Sequence, residues 1–155
     1  MTDRLTSEQR SRNMSRVRGK DTKPEWVIRR LLHGMGFRYR LHRRDLPGSP
    51  DIVLPKHRVA VFVHGCFWHG HGCHLFRWPA TREEFWKAKI ARNAERDAEA
   101  LAALNVAGWR TLVVWECAIK GRTCLQKSDL ACRMGSFISG TQPECLSIGG
   151  RSEEA

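Results

Sequence analysis

The sequence predicts a mixed α/β fold: one mixed β-sheet with helices packed on it and a metal-braced loop at a strand end. Three observations carry this. Two apolar runs, residues 51–54 and 59–64, are joined by residues 55–58, a connection short enough for a hairpin. A long helical stretch lies between the second run and a third at residues 109–115, the layout of a right-handed parallel crossover. Directly off the second run, His64-Gly65-Cys66-Phe67-Trp68-His69-Gly70-His71-Gly72-Cys73-His74 gathers thiols, imidazoles and two large aromatics.

Taken in order, the elements follow from local signals. Residues 1–20 carry Arg4, Arg10, Arg12, Arg16, Arg18 and Lys20 around a weak helical stretch with Met14 and Val17, and read as a basic arm that orders on DNA. Thr22-Lys23-Pro24-Glu25 is a capping-box pattern with proline in the first turn. Trp26, Val27, Leu31, Leu32 and Met35 continue it at helical spacing until Gly34 and Gly36. Residues 37–41 alternate as a strand does, and a basic loop runs from residue 42 to Pro50. Thr81-Arg82-Glu83-Glu84 is a second capping box, opening a helix to about Val106 that stops at Gly108. A weaker helix is predicted over 128–138. Residues 140–155 are rich in Gly, Ser and Glu and are predicted to be a disordered tail, which leaves 21–139 as a single domain.

Composition narrows the partners. With 155 residues and 41% hydrophobic content the chain can bury one core, and no run is long enough to cross a membrane. The polar, Arg-rich start lacks the apolar region of a secretory signal, so a cytoplasmic, nucleoid-associated protein is expected. Six cysteines in that compartment point to metal binding or free thiols, not disulfides. A net charge of +11 and six Trp against one Tyr point to nucleic acid.

Thiolate and imidazole are ligands for tetrahedral zinc. Cys66, His71 and Cys73 supply three, and Cys117, just past the strand expected beside 59–64, supplies the fourth. The same residues also read as buried thiols with exposed histidines, and His69 or His74 could replace His71. Asp51, at a strand start next to the end of the paired strand, suits a hard cation of the kind used in phosphodiester chemistry, and reads equally as an aspartate that starts a strand after a turn. Glu25 reads equally as an outer ligand or a capping residue, and Asp97 as a site residue or a solvated one.

Pro50-Asp51, His64-Gly65-Cys66-Phe67-Trp68-His69, Pro79-Ala80-Thr81-Arg82-x-x-Phe85-Trp86, Asn93-x-x-Arg96-Asp97 and Val114-Trp115-Glu116-Cys117 together resemble the very short patch repair (Vsr-type) mismatch endonucleases, from about Arg12 to Arg122. The resemblance implies a restriction-endonuclease-like mixed sheet flanked by helices, with a structural zinc on Cys66, His71, Cys73 and Cys117. It implies Mg²⁺-dependent nicking of one strand 5′ to the thymine of a T:G mismatch, the product of 5-methylcytosine deamination. Asp51 and the Val63 carbonyl would then hold Mg²⁺. Glu25, His64 and Asp97 would order its waters, and His69 would be the general base. Phe67, Trp68 and Trp86 would be a wedge in the major groove and Met14 one in the minor groove, with Lys89 and Asn93 contacting bases. The partner implied is mismatched double-stranded DNA, bound by a monomer; contact with other repair proteins is left open.

Two departures stand out. Restriction-type nucleases carry an acidic residue and a lysine where this chain has Phe62 and His64, a feature the Vsr type shares. Gly70 and Gly72 stand where further histidines are expected, which should loosen the loop. Two other readings stay open on the residues alone: a zinc-stabilised DNA-binding module without catalysis, and a restriction-type endonuclease acting on paired DNA.

Overall fold

The computed structural model describes residues 6–15 and 20–151 of the chain. Its five strands form one sheet in sequence order: β1 (Arg40–Leu41), β2 (Ile52–Leu54), β3 (Val59–His64), β4 (Arg110–Trp115) and β5 (Cys145–Ile148). β1, β2 and β3 are antiparallel neighbours, while β3, β4 and β5 run parallel. The hairpin and the parallel pairing of residues 59–64 with 110–115 are those the sequence predicts. Because the sheet is covered on both faces, its central strands are apolar at successive positions instead of alternating with polar residues. Ile52, Leu54, Val59, Val61, Leu112 and Val114 face α2 (Lys23–Gly34) and α4 (Lys127–Ser139), meeting Ile28, Leu32, Met134 and Phe137. Val53, Ala60, Phe62 and Val113 face the other way, against Leu104 of α3 (Glu83–Val106) and Trp109. This alternation puts His64, two residues beyond Phe62, on the α3 side of the sheet.

The arm forms α1 (Ser7–Ser15). Its first turn is closed reciprocally: Gln9 N donates to Thr6 Oγ1 at 3.2 Å and Thr6 N to Gln9 Oε1 at 2.9 Å. The side chain of Met14 lies outside the described residues.

Three boundaries differ from the sequence reading. Only Arg40–Leu41 of residues 37–41 pairs as a strand, because Phe37 N still caps α2 by donating to Leu32 O at 3.0 Å. The Thr81–Glu84 capping box is not used: α3 begins at Glu83, and Arg82 precedes it at φ 55°, a left-handed conformation that prevents the helix from extending back to Thr81. Residues 145–148, assigned to a disordered tail, are β5. Leu146 and Ile148 alternate inward, Ile148 enters the core, and the strand covers the edge that β4 would otherwise expose.

Candidate active site and metal centre

The C-terminal end of β3 and the start of β2 form the rim on which the site is built. The loop after His64 turns back on itself: His69 N donates to Gly65 O at 3.3 Å, Gly70 N to Phe67 O at 3.3 Å and His71 N to Cys66 O at 2.9 Å. This turn lays the His69 ring on His64, parallel within 3° and 3.8 Å between centroids. Gly70 is required for it. Its φ is +66°, and a Cβ there would lie 2.8 Å from Ile90 Cγ2. At Gly70 the expectation that glycine loosens the loop is replaced by the opposite, since Gly70 lets the loop close onto α3; Gly72 has open space around it.

From α3, Asp97 reaches both imidazoles. Its Oδ2 lies 2.5 Å from His69 Nδ1 and its Oδ1 4.0 Å from His64 Nε2. An ionised carboxylate only accepts, so His69 Nδ1 carries the proton and Nε2 keeps a lone pair. That is the tautomer a general base needs. His64 is buried, and burial, with His69 adjacent, pushes its pKa down to about 4. Its Nδ1 is buried without a hydrogen-bond partner among the described residues.

Asp51 Oδ2 accepts from Val63 N at 2.8 Å. Burial pushes the Asp51 pKa up to about 6 despite this bond, and the Glu25 carboxylate adds to the rise. The Val63 carbonyl points to the same strand edge as its N–H. Extending the β2–β3 register one pair past Asp51 sets Pro50 opposite Val63, and proline has no N–H to donate to that oxygen. The Asp51 carboxylate and the Val63 carbonyl, which faces a residue with no N–H, are hard oxygen donors that suit a divalent cation; the unpartnered His64 nitrogen suits a hydrogen bond with water.

Glu25 is 2% exposed and close enough to act on Asp51, but its hydrogen bonds go to a neighbouring network. Thr22 caps α2 as predicted, accepting from Glu25 N at 3.4 Å. Glu25 Oε2 instead accepts from Asp21 N and from Arg29 Nη2, each at 3.0 Å. Arg29 Nη2 also reaches Asp21 Oδ1 at 2.7 Å and His42 Nε2 at 3.1 Å. Asp21, Arg29 and His42 were not singled out from sequence; the i,i+4 spacing of Glu25 and Arg29 was the available signal.

The second cluster consists of Cys66, His71, Cys73 and Cys117, whose ligand atoms lie within 4.8 Å of one another. The β3–β4 register brings Cys117 there: His64 pairs with Trp115, and each strand continues two residues to its cysteine. A tetrahedral zinc with the usual Zn–S and Zn–N distances separates a sulfur and a nitrogen by about 3.5 Å. Cys117 Sγ and His71 Nδ1 are 3.5 Å apart. Burial raises the pKa of the Cys66 and Cys117 thiols, so a cation is what would hold them as thiolates. His74 instead turns to Thr123, its Nδ1 3.3 Å from Oγ1. Two supports were missed in the sequence. Trp115 stacks on His71 at 4.2 Å, and Glu116 Oε2 accepts from Cys66 N at 3.3 Å.

Beside these centres lies an aromatic cluster. Phe67 is 5.2 Å from Trp68 and 5.3 Å from Trp86 between ring centroids, and Trp68 is 5.8 Å from Trp86. Lys89 Nζ stands 5.8 Å over the Trp68 ring. Asn93 Nδ2 donates to Trp68 O at 2.9 Å, fixing the backbone of the cluster.

The family model described as DNA mismatch endonuclease Vsr matches residues 2–75. A type II nicking enzyme of Xanthomonas oryzae pv. oryzae is 52% identical over 126 residues, spanning 81% of this chain and 93% of the relative. The DNA mismatch endonuclease Vsr of Escherichia coli (strain K12) is 44% identical over 140 residues, 90% of each chain. A type II nicking enzyme of Neisseria meningitidis serogroup A is 43% identical over 122 residues, 79% of this chain and 87% of the relative. With that extent of identity, the chain belongs to the Vsr family of DNA mismatch endonucleases.

Proposed function

We propose that this endonuclease nicks one strand of duplex DNA on the 5′ side of a thymine mispaired with guanine, in a Mg²⁺-dependent reaction that starts very short patch repair. The observation that carries the reading is the Asp97–His69 pair, stacked on His64 at the rim that also carries Asp51. The names of the relatives agree with it: one is a mismatch endonuclease and others are nicking enzymes.

His69 Nε2 accepts a proton from the attacking water. The new P–O bond forms as the bond to the 3′-oxygen breaks, and that oxygen is protonated from solvent. Asp97 holds the His69 ring and stabilises the imidazolium that results. His64, kept neutral by burial, stacks on the base and offers a nitrogen to site water. Asp51 and the Val63 carbonyl would hold Mg²⁺, with Glu25 ordering its waters, and the ion would supply Lewis-acid stabilisation of the phosphate charge and the leaving oxygen. Cys66, His71, Cys73 and Cys117 would hold a structural zinc that braces the loop carrying His69. Phe67, Trp68 and Trp86 enter the stack from the major groove, with Lys89 and Asn93 beside them and Met14 in the minor groove. A T:G wobble pair opens more cheaply than a Watson–Crick pair, where unstacking costs a few kcal/mol per step.

The test is incision mapping on an end-labelled T:G duplex with Mg²⁺. A single break 5′ to the mispaired thymine, absent in Asp51→Asn, is expected. Breaks in both strands, or binding with no break in Mg²⁺ or Mn²⁺, would overturn the reading in favour of a restriction-type enzyme or a non-catalytic module.

A further inference from the structure

The sequence motifs end at Cys117, and the alignment with the Escherichia coli relative, 140 residues long, runs well past it; the metal centre likewise continues beyond Cys117. β5 lies parallel to β4 with Ile148 opposite Val114. The chain then passes over the Cys/His cluster. Gly150 N donates to Cys117 Sγ at 3.2 Å. Arg151 fastens the far side, its N donating to Thr123 O at 2.7 Å and its Nη2 to Arg122 O at 3.3 Å. There is no room for a side chain on Gly150. A Cβ on Gly150 would lie 2.5 Å from Thr123 Oγ1, 2.7 Å from Cys117 O and 2.8 Å from Thr123 O. One on Gly149 would lie 3.4 Å from His71 Cε1, an ordinary contact.

We propose that residues 149–151 are the outer wall of the zinc centre and set how slowly it loses its ion. Two effects combine. The Gly150 N–H stabilises the Cys117 sulfur as a thiolate, since a hydrogen bond to a charged acceptor is stronger than one to a neutral acceptor. The backbone also forms one wall of the cavity that borders His71, Cys73 and Cys117, narrowing the approach to them. Partners outside a metal's own ligands typically change affinity by about 10–100-fold. The proposal rests on the zinc reading of Cys66, His71, Cys73 and Cys117.

The experiment follows zinc release from the purified holoprotein to a chelating dye, with bound zinc first quantified by elemental analysis. Three variants are compared with wild type: deletion of residues 149–155, deletion of 152–155 alone, and Gly150→Ala. Release about 10-fold faster or more is expected for the first and third, with the second near wild type. Near-UV circular dichroism of the zinc-loaded proteins verifies the fold. If the longer deletion does not fold, Gly150→Ala decides. Wild-type release from Gly150→Ala with zinc bound would overturn the proposal and leave the zinc reading intact. A wild-type protein without stoichiometric zinc would instead overturn the zinc reading, and this proposal with it.

Discussion

Asp51 and His64 act on the fold in opposite pH directions. Asp51 has a folded pKa of about 6, above its ordinary 3.8, so the proton it binds stabilises the native state. That stability is fully present below about pH 3.8 and is lost as pH rises through 6, reaching about 3 kcal/mol at neutrality. Asp51→Asn, which keeps an acceptor for Val63 N, is expected to raise stability at pH 7 in Mg²⁺-free buffer by about 2–3 kcal/mol while abolishing incision. Urea unfolding of the two proteins checks this. His64 runs the other way. Its folded pKa of about 4 lies below 6.5, so its contribution is present above pH 6.5 and disappears as pH falls through 4. His64→Gln should flatten the acid limb of the stability profile by up to about 3 kcal/mol. An unchanged acid limb would contradict the buried, neutral imidazole. Asp97→Asn should leave mismatch binding near wild type and lower single-turnover incision by about 10²-fold or more, because the His69 tautomer is no longer imposed. A drop confined to binding would remove Asp97 from its positioning role.

Among the elements, the loop between β3 and α3 is the one that cannot hold itself. It has no strand or helix of its own, only short turns and ties from Asn93, Asp97 and Glu116, so the Cys/His cluster at its centre would carry much of its support. Cys117→Ser should therefore lose zinc and more than about 3 kcal/mol of stability together, read by metal analysis and thermal unfolding. A zinc-free Cys117→Ser protein that remains fully active would contradict the bracing role. Much of this element was legible beforehand. The apolar runs predict β2, β3 and β4, and the crossover they imply brings Cys117 to Cys66. The misses have physical reasons. Thr81-Arg82-Glu83-Glu84 has capping-box chemistry, but a capping box acts only if its first residue sits at the helix entry, and the left-handed Arg82 moves that entry. The stretch 145–148 alternates over only four residues, too few to separate a strand from a polar tail until the edge of β4 is seen to need a partner. Arg29 was hidden because a charged residue on a helix usually faces water. Here it is 3% exposed, held by Glu25 and Asp21.

At the scale of the whole molecule, the charge and the two centres meet in one task. A chain with a net charge of +11 binds a polyanion by releasing counterions. The affinity for duplex DNA should fall with salt at a log–log slope of about −0.9 per phosphate neutralised, and a flat dependence would remove the basic arm from the interface. The two faces of the sheet divide the work: α2 and α4 carry most of the core, while α3 brings Asp97, Asn93, Lys89 and Trp86 toward the loop. One loop thus carries His69, the proposed base, between Phe67 and Trp68 on one side and His71 and Cys73 of the candidate zinc centre on the other, so loss of a bound ion should disturb chemistry and mismatch sensing together. The claim that these parts form a mismatch-selective nicking site meets its most direct test in single-turnover incision of two duplexes identical except for T:G or T:A at one position. Incision of the thymine strand of the T:G duplex alone, at least about 10²-fold faster than in the paired duplex, is the expected result; equal rates on the two duplexes would contradict it.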